Sequence, residues 1–151
     1  MKEKERSRIL IIDDEESIRK SLKLALERVG YLVDTAGTGR EAIRKSKRRF
    51  YNLALADLRL PDIDGVELLT RMRETVPEMA KIIITGYPSL ENAIEAVNRG
   101  ADGYVVKPYT MEDLLPKIKE HLQRQQKAKK YSEEKVKEYV ETRAEEYVSG
   151  T

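Results

Sequence analysis

Asp13 and Asp14 directly follow one short apolar run, Asp57 follows another, Thr85 closes a third, and Lys107 follows a fourth. If those runs end side by side, three carboxylates, a hydroxyl and an ammonium share one crevice. Like charges ~4 Å apart repel by about 4 kcal/mol at an effective dielectric of 20, so protons or a hard cation must relieve the acids. Oxygen ligands with water suit Mg²⁺, which typically binds through one or two carboxylates and a phosphate. Asp57 is then free to act as a carboxylate nucleophile, giving an acyl phosphate. It needs no general base, because it is already ionised at neutral pH. Thr85 can donate its hydroxyl to one phosphoryl oxygen and Lys107 can neutralise another. Phosphoryl transfer is mainly positioning and charge stabilisation, so this toolkit is sufficient.

Each residue alone has an ordinary reading. Asp13, Asp14, Glu15 and Glu16 can simply complement a helix N-terminus. Asp57 can be a turn former, Thr85 a β-branched strand residue and Lys107 a solvated cation. The argument rests on their joint placement.

The elements that must position them follow from periodicity. Arg8 to Ile12 reads as a buried strand, and Ile18, Leu22, Leu26 and Val29 as a helix stopped by Gly30. Tyr31 to Thr35 is a second strand, with Ala42, Ile43 and Phe50 marking the next helix. Leu53 to Ala56 leads into Asp57, and Pro61 to Gly65 is a loop before a helix carrying Val66, Leu69 and Met72. Lys81 to Thr85 is a fourth strand, followed by Leu90, Ala93, Ile94 and Val97 on a helix stopped by Gly100. Gly103 to Val106 is the fifth strand, and Leu114, Leu115, Ile118 and Leu122 lie on the fifth helix. Strict alternation with near-continuous apolar strands predicts an α/β doubly wound parallel sheet, covered on both faces. Such folds place their sites at the carboxyl ends of the strands, near the switch in strand order. The second strand ends in Thr35-Ala36-Gly37 without charge, as expected of an edge away from that point.

Composition narrows the chemistry. With 151 residues the chain is one domain with room for an appendage. The absence of cysteine removes thiolate catalysis, disulfides and cysteine-ligated metals, and a single histidine, His121, argues against a poly-His site or a Ser/His/Asp triad. The run Ile9 to Ile12 is too short for a signal or a membrane span, so the expected compartment is the cytoplasm. Lys+Arg of 29 against Asp+Glu of 27 gives a net charge of +2 and no global reason to bind nucleic acid. The 37% charged fraction fits a heat-adapted surface or a long solvated helix equally well.

At these residues the chain resembles the receiver domain of two-component response regulators. The matching segments are Ile11-Ile12-Asp13-Asp14-Glu15, Ala56 to Gly65 (ADLRLPDIDG), Ile84-Thr85-Gly86-Tyr87, and Gly103 to Pro108 (GYVVKP). The resemblance covers roughly residues 6–125. It implies a (βα)5 flavodoxin-like sandwich of strand order 2-1-3-4-5. It further implies that Asp57 is the phospho-acceptor and that Asp13, Asp14, Asp57 and the backbone carbonyl of Arg59 hold Mg²⁺. Thr85 and Tyr104 resemble the switch pair, and Lys107, before a cis Pro108, the family lysine. Gly86 would leave a gap toward Asp57, and bulky Arg59 and Tyr87 would slow water's access to it. The implied partner is a sensor histidine kinase or phosphotransfer protein. A downstream effector, or a second copy in a homodimer, would use the face of helix 89–99, strand 103–106 and helix 111–122.

Residues 126–151 are expected to form a helical extension or linker. Lys117, Lys119, Arg124, Lys127, Lys129 and Lys130 face only Glu120 in a basic stretch, and an acidic stretch from Glu133 to Glu146 follows. Ser132-Glu133-Glu134 reads as a fresh N-cap, with Val136, Val140, Ala144 and Val148 at i+4 spacing beyond it and Ser149-Gly150 closing it. Three readings stay open: a coiled coil joining two receivers, the stub of a longer protein, or a helix folded back. Rival functions are weaker. An Asp-nucleophile phosphatase would carry an acid where Arg59 stands. A flavin or nucleotide site would not open on four acids. A phosphorylation-independent interaction module would be expected to have lost one of the acids, Thr85 or Lys107.

Overall fold

The structure is a computed structural model, and it describes residues 6–72, 74–75 and 77–149. Strands and helices alternate as β1 (Arg8–Ile12), α1 (Glu16–Val29), β2 (Leu32–Ala36), α2 (Gly39–Arg48) and β3 (Leu53–Asp57). They continue as α3 (Gly65–Arg71), β4 (Ala80–Thr85), α4 (Leu90–Asn98), β5 (Gly103–Val106) and α5 (Met111–Ser149). All strand pairings are parallel, in the order β2-β1-β3-β4-β5.

Successive strand residues point to opposite faces, so the sheet splits into two cores. Leu10, Ile12, Ala54, Ala56 and Ile83 pack against Ala42 of α2, Leu68 and Leu69 of α3 and Ala96 of α4. Ile9, Ile11, Leu53, Leu55, Ile82 and Ile84 pack against Leu22 and Leu26 of α1 and Leu114, Ile118 and Leu122 of α5. A fully buried aliphatic side chain contributes about 1.5–3 kcal/mol. The three on α5 therefore outweigh the roughly 3 kcal/mol that a helix-interior proline such as Pro116 costs. Thr110 and Asp113 open α5 with a reciprocal capping box: Asp113 N–H donates to Thr110 Oγ1 at 3.2 Å and Thr110 N–H to Asp113 Oδ2 at 3.1 Å. Gly30 ends α1 in the left-handed region, φ 113°, as the sequence suggested.

Two local expectations change, at Phe50 and Ser132, and one of the three open readings of the tail closes. Phe50 lies outside α2 and is exposed; its neighbour Tyr51 is the buried aromatic, because its hydroxyl can donate to Asp34 at 2.7 Å. Leu90, Ile94 and Val97 lie on α4 but are exposed, and only Ala96 of that helix is buried. No fresh helix begins at Ser132: α5 passes through it, since the backbone bonds of an established helix propagate more easily than a new nucleus forms. The extension does not fold back, for every side chain described from residue 126 to 148 is exposed.

Candidate functional site

Register brings the site together. Ile12 pairs with Ala56 and Asp57 with Ile84, so Asp13, Asp57 and Thr85 fall within one residue of each other at the carboxyl edge. Pairing continues past the strand ends, with Leu58 N–H donating to Ile84 O at 2.9 Å and Lys107 N–H to Thr85 O at 2.8 Å. Asp13 is held by its own backbone: its N–H donates to Ala36 O at 3.1 Å, and its carbonyl accepts from Arg19 Nη1 at 2.8 Å.

Carboxylate oxygens of Asp13, Asp14 and Asp57 all lie within 4.8 Å of one another, the one such acidic group among the described residues. Asp13 is buried, Asp57 largely so and Asp14 exposed. Lys107 Nζ sits 2.9 Å from Asp57 Oδ2 and 3.6 Å from Asp13 Oδ2. The other Asp57 oxygen accepts from Arg59 N–H at 2.9 Å. Burial raises the pKa of Asp13; Glu15 N–H and Lys107 pull it down, while Asp57 and Asp14 push it up, and the net shift is upward. For Lys107 burial acts to lower the pKa, but the Asp57 hydrogen bond and the charges of Asp57 and Asp13 outweigh it, so the net shift is upward. A hard dication fits this set of crowded oxygens, one of them well exposed to bring water.

Thr85 is buried, and its Oγ1 accepts from Tyr87 N–H at 2.9 Å. Tyr104 packs half-buried against the Leu10–Ile83 core, its hydroxyl buried and without a hydrogen bond among the described residues. The Lys107–Pro108 bond is cis. A Cβ at Gly86 would make ordinary van der Waals contact with the Lys107 side chain at 3.9 Å, so a small side chain would fit there without a clash. Gly65 is needed for another reason: a Cβ there would lie 2.3 Å from Asp57 O and 2.8 Å from Leu58 Cα. The loop thus folds tightly beneath Asp57.

Sequence reasoning missed three features around this crevice. Asp62 reaches across to the start of α2, accepting from Gly39 N–H at 2.8 Å and Arg40 N–H at 2.9 Å. Arg59 stacks on Tyr87. Tyr109 is half-buried near Lys107, its pKa raised by burial. Asp62 lies in a recognised loop, but nothing local marks a cap supplied from a distant segment.

Comparison with known proteins agrees with this geometry. Residues 9–119 match the family model described as "Response regulator receiver domain". A relative in Bacillus subtilis, described as an uncharacterized transcriptional regulatory protein YkoG, is 36% identical over 120 residues, which is 80% of this chain and 53% of that protein. This chain therefore spans about half the length of the curated relatives it matches. Among solved structures, a CheY-like response regulator receiver domain protein from Methanospirillum hungatei is 48% identical with a TM-score of 0.78, covering 82% of this chain and 98% of that one. A response regulator from Burkholderia pseudomallei, solved with a phosphorylated aspartic acid, calcium ion and citrate, is 32% identical with a TM-score of 0.66 over 72% of this chain and 64% of that one.

Proposed function

Because this chain belongs to the response regulator receiver domain family, a phospho-accepting signalling module rather than a true enzyme, we propose that its acceptor is Asp57 and its cation Mg²⁺. The observation that carries this reading is the contact of Lys107 Nζ with Asp57 Oδ2 at 2.9 Å inside the acid cluster. An oxygen of Asp57 forms the new bond to phosphorus as the bond from phosphorus to the donor breaks, and the donor leaves with that electron pair. Lys107 holds Asp57 in position beforehand and neutralises a phosphoryl oxygen afterwards. Asp13, Asp14, Asp57 and the Arg59 carbonyl would hold Mg²⁺, which would supply charge neutralisation to the transferring group.

Family membership implies a cognate histidine kinase, and the donor is a sensor histidine kinase or a phosphotransfer protein in the cytoplasm. No helix described is long and apolar enough to cross a membrane. After transfer Thr85 gives up Tyr87 N–H and donates to the phosphoryl group. The shift frees space that Tyr104 fills, and it re-presents the α4–β5–α5 face to an effector or a second receiver. Exposed Leu90, Ile94, Val97 and Val106 on that face support this reading. Two states close in energy are required, which the new charge of about −1.5 to −2 then biases. On this reading the receiver occupies residues 6–125, and 126–151, helical in its described part to Ser149, is an extension or linker.

The test is intact mass after incubation with acetyl phosphate and Mg²⁺. One phosphoryl group should be gained, dependent on the metal and absent in Asp57→Asn. No gain by a folded chain would leave a docking module that works without phosphate.

A further inference from the structure

The net charge of +2 conceals an uneven distribution. Residues 40–49 hold six cations (Arg40, Arg44, Lys45, Lys47, Arg48 and Arg49) against Glu41, a local +5 that leaves −3 for the rest of the chain. α2 gathers four of them on one face. At about 100° per residue, Arg40 and Arg48 lie about 40° to either side of Arg44, and Lys47 about 60° from it. All four are exposed. Ala42 and Ser46, about 160° from Arg44, are buried. Arg40, Arg44 and Arg48 therefore stand in a row, about 6 Å apart along the axis.

The helix does not need this row. Lys45, Lys47 and Arg48 complement the C-terminal end of the dipole, but Arg40 sits in the first turn, where an acid is favoured. The acids bordering the face are already engaged. Glu41 bonds Lys45 Nζ at 3.0 Å and accepts from Gly37 N–H at 3.3 Å, and Asp62 accepts from the N–H groups of Gly39 and Arg40. Asp34 is shared by Arg8, Arg49 and the Tyr51 hydroxyl. The cations of α5 make the contrast. Lys127 and Lys129 point about 160° apart, and Arg124 and Lys129 are paired with Glu120 and Glu133.

We infer that the exposed face of α2 docks on the phosphate backbone of a nucleic-acid duplex, without reading its sequence. The chemistry of the face selects that occupant. A folded protein partner needs an apolar anchor near the centre of its interface, and this arc holds none. A membrane-surface helix inserts its apolar face, whereas that of α2, with Ala42 and Ile43, is packed into the core. A phosphate backbone asks only for positive charge and N–H donors. Three of the four cations are arginines, whose planar fork suits a phosphate. Four such contacts make the logarithm of the binding constant fall with that of salt at a slope of about −3.6.

The experiment is fluorescence anisotropy of a short labelled DNA duplex titrated with the full chain at several salt concentrations. Wild type is compared with the α2 triple variant Arg44→Gln, Lys47→Gln, Arg48→Gln and the α5 triple variant Lys127→Gln, Lys129→Gln, Lys130→Gln. Wild type should bind duplexes of unrelated sequence alike, at that slope. The α2 triple variant should bind at least tenfold more weakly at low salt, its slope reduced to about −1, with wild-type melting as the sign of an intact fold. Arg44→Gln alone should flatten the slope by about one, and the α5 triple variant should leave it unchanged. No binding at low salt, or a slope indifferent to the α2 substitutions, would overturn the inference. So would a slope lost with the α5 lysines, or capture by phosphatidylserine vesicles in place of the duplex.

Discussion

The guanidinium of Arg59 lies over the ring of Tyr87, its central carbon 3.7 Å from the ring centroid. Arg59 follows Asp57 by two residues and Tyr87 follows Thr85 by two, so the stack bridges the two loops that leave the strand ends at Asp57 and Thr85. An exposed cation–π contact contributes about 0.5–1 kcal/mol. If the stack shields the acyl phosphate from water, losing it should speed phosphate release by roughly two- to fivefold. Arg59→Ala and Tyr87→Ala should each do so, and the double variant should be no faster than either, because both remove one contact. Release kinetics of purified phosphorylated protein measure this, and wild-type rates in both single variants would sink the idea.

Asp13 is the acid that the fold holds least willingly in its ionised form. Two unit charges about 4.8 Å apart repel by roughly 3.5 kcal/mol at an effective dielectric of 20, and Lys107 offsets part of that. Asp13→Asn should therefore stabilise the metal-free protein by on the order of 1 kcal/mol. Mg²⁺ is expected to raise the melting temperature of the wild type, and the same substitution should abolish that rise. The pH dependence has a definite sign. Native Asp13 titrates above its ordinary 3.8, so folding takes up a proton there and its contribution improves as pH falls toward that value. Lys107 acts at the other end of the scale. With a native value above its ordinary 10.5, its stabilisation is complete through neutral pH and is lost only as pH rises through the native value. Thermal melts with and without Mg²⁺ distinguish these outcomes; equal metal response in Asp13→Asn would remove Asp13 from the cation site.

Much of this site was legible in advance because its signals are local. A strand end is marked where an apolar run stops, and Asp13, Asp57, Thr85 and Lys107 each sit at such a stop. The tail was legible in composition but not in shape. Ser132-Glu133-Glu134 has the chemistry of an N-cap, yet a helix already running gains nothing by stopping there. The α4 stripe shows the converse limit: Leu90, Ile94 and Val97 have the spacing of a core face and the exposure of a surface. Periodicity reports that a face is apolar, not what lies opposite it.

Asp62 illustrates a contact that spacing cannot announce, since it caps a helix more than twenty residues earlier. The backbone N–H groups of Gly39 and Arg40 hold its carboxyl below the ordinary Asp value. Its stabilisation is therefore full above 3.8 and is lost as pH falls through the lower native value. Asp62→Ala should cost roughly 1 kcal/mol at neutral pH, within the range for lost N-caps. Asp62→Asn should recover most of it, since an amide oxygen still accepts. Urea midpoints at pH 7 and pH 3 check both statements, and a wild-type midpoint for Asp62→Ala at pH 7 would show the cap to be idle.

Gln125 marks where α5 leaves the receiver, and its amide is the last side chain of that helix to be buried. Through Asn52 it reaches β1 as well, because Asn52 Oδ1 accepts from Arg8 N–H at 2.8 Å. Replacing it with leucine keeps the bulk but removes three hydrogen bonds, two with Asn52 and one with Glu78. The Asn52 carbonyl is left with Ala80 N–H and the exposed Glu78 carbonyl with water, at about 0.5–1.5 kcal/mol per lost bond. The loss should be local to the exit of the helix. Amides around residues 122–128 should exchange faster in Gln125→Leu, while those of β3 and β4 keep their protection. Hydrogen exchange read by mass spectrometry separates this from general destabilisation, in which β3 and β4 would lose protection in step. Phosphorylation of Asp57 should survive the change, since the amide sits at the opposite end of the sheet. An unchanged exchange rate at 122–128 would mean that Leu122 and Ile118 alone anchor the helix.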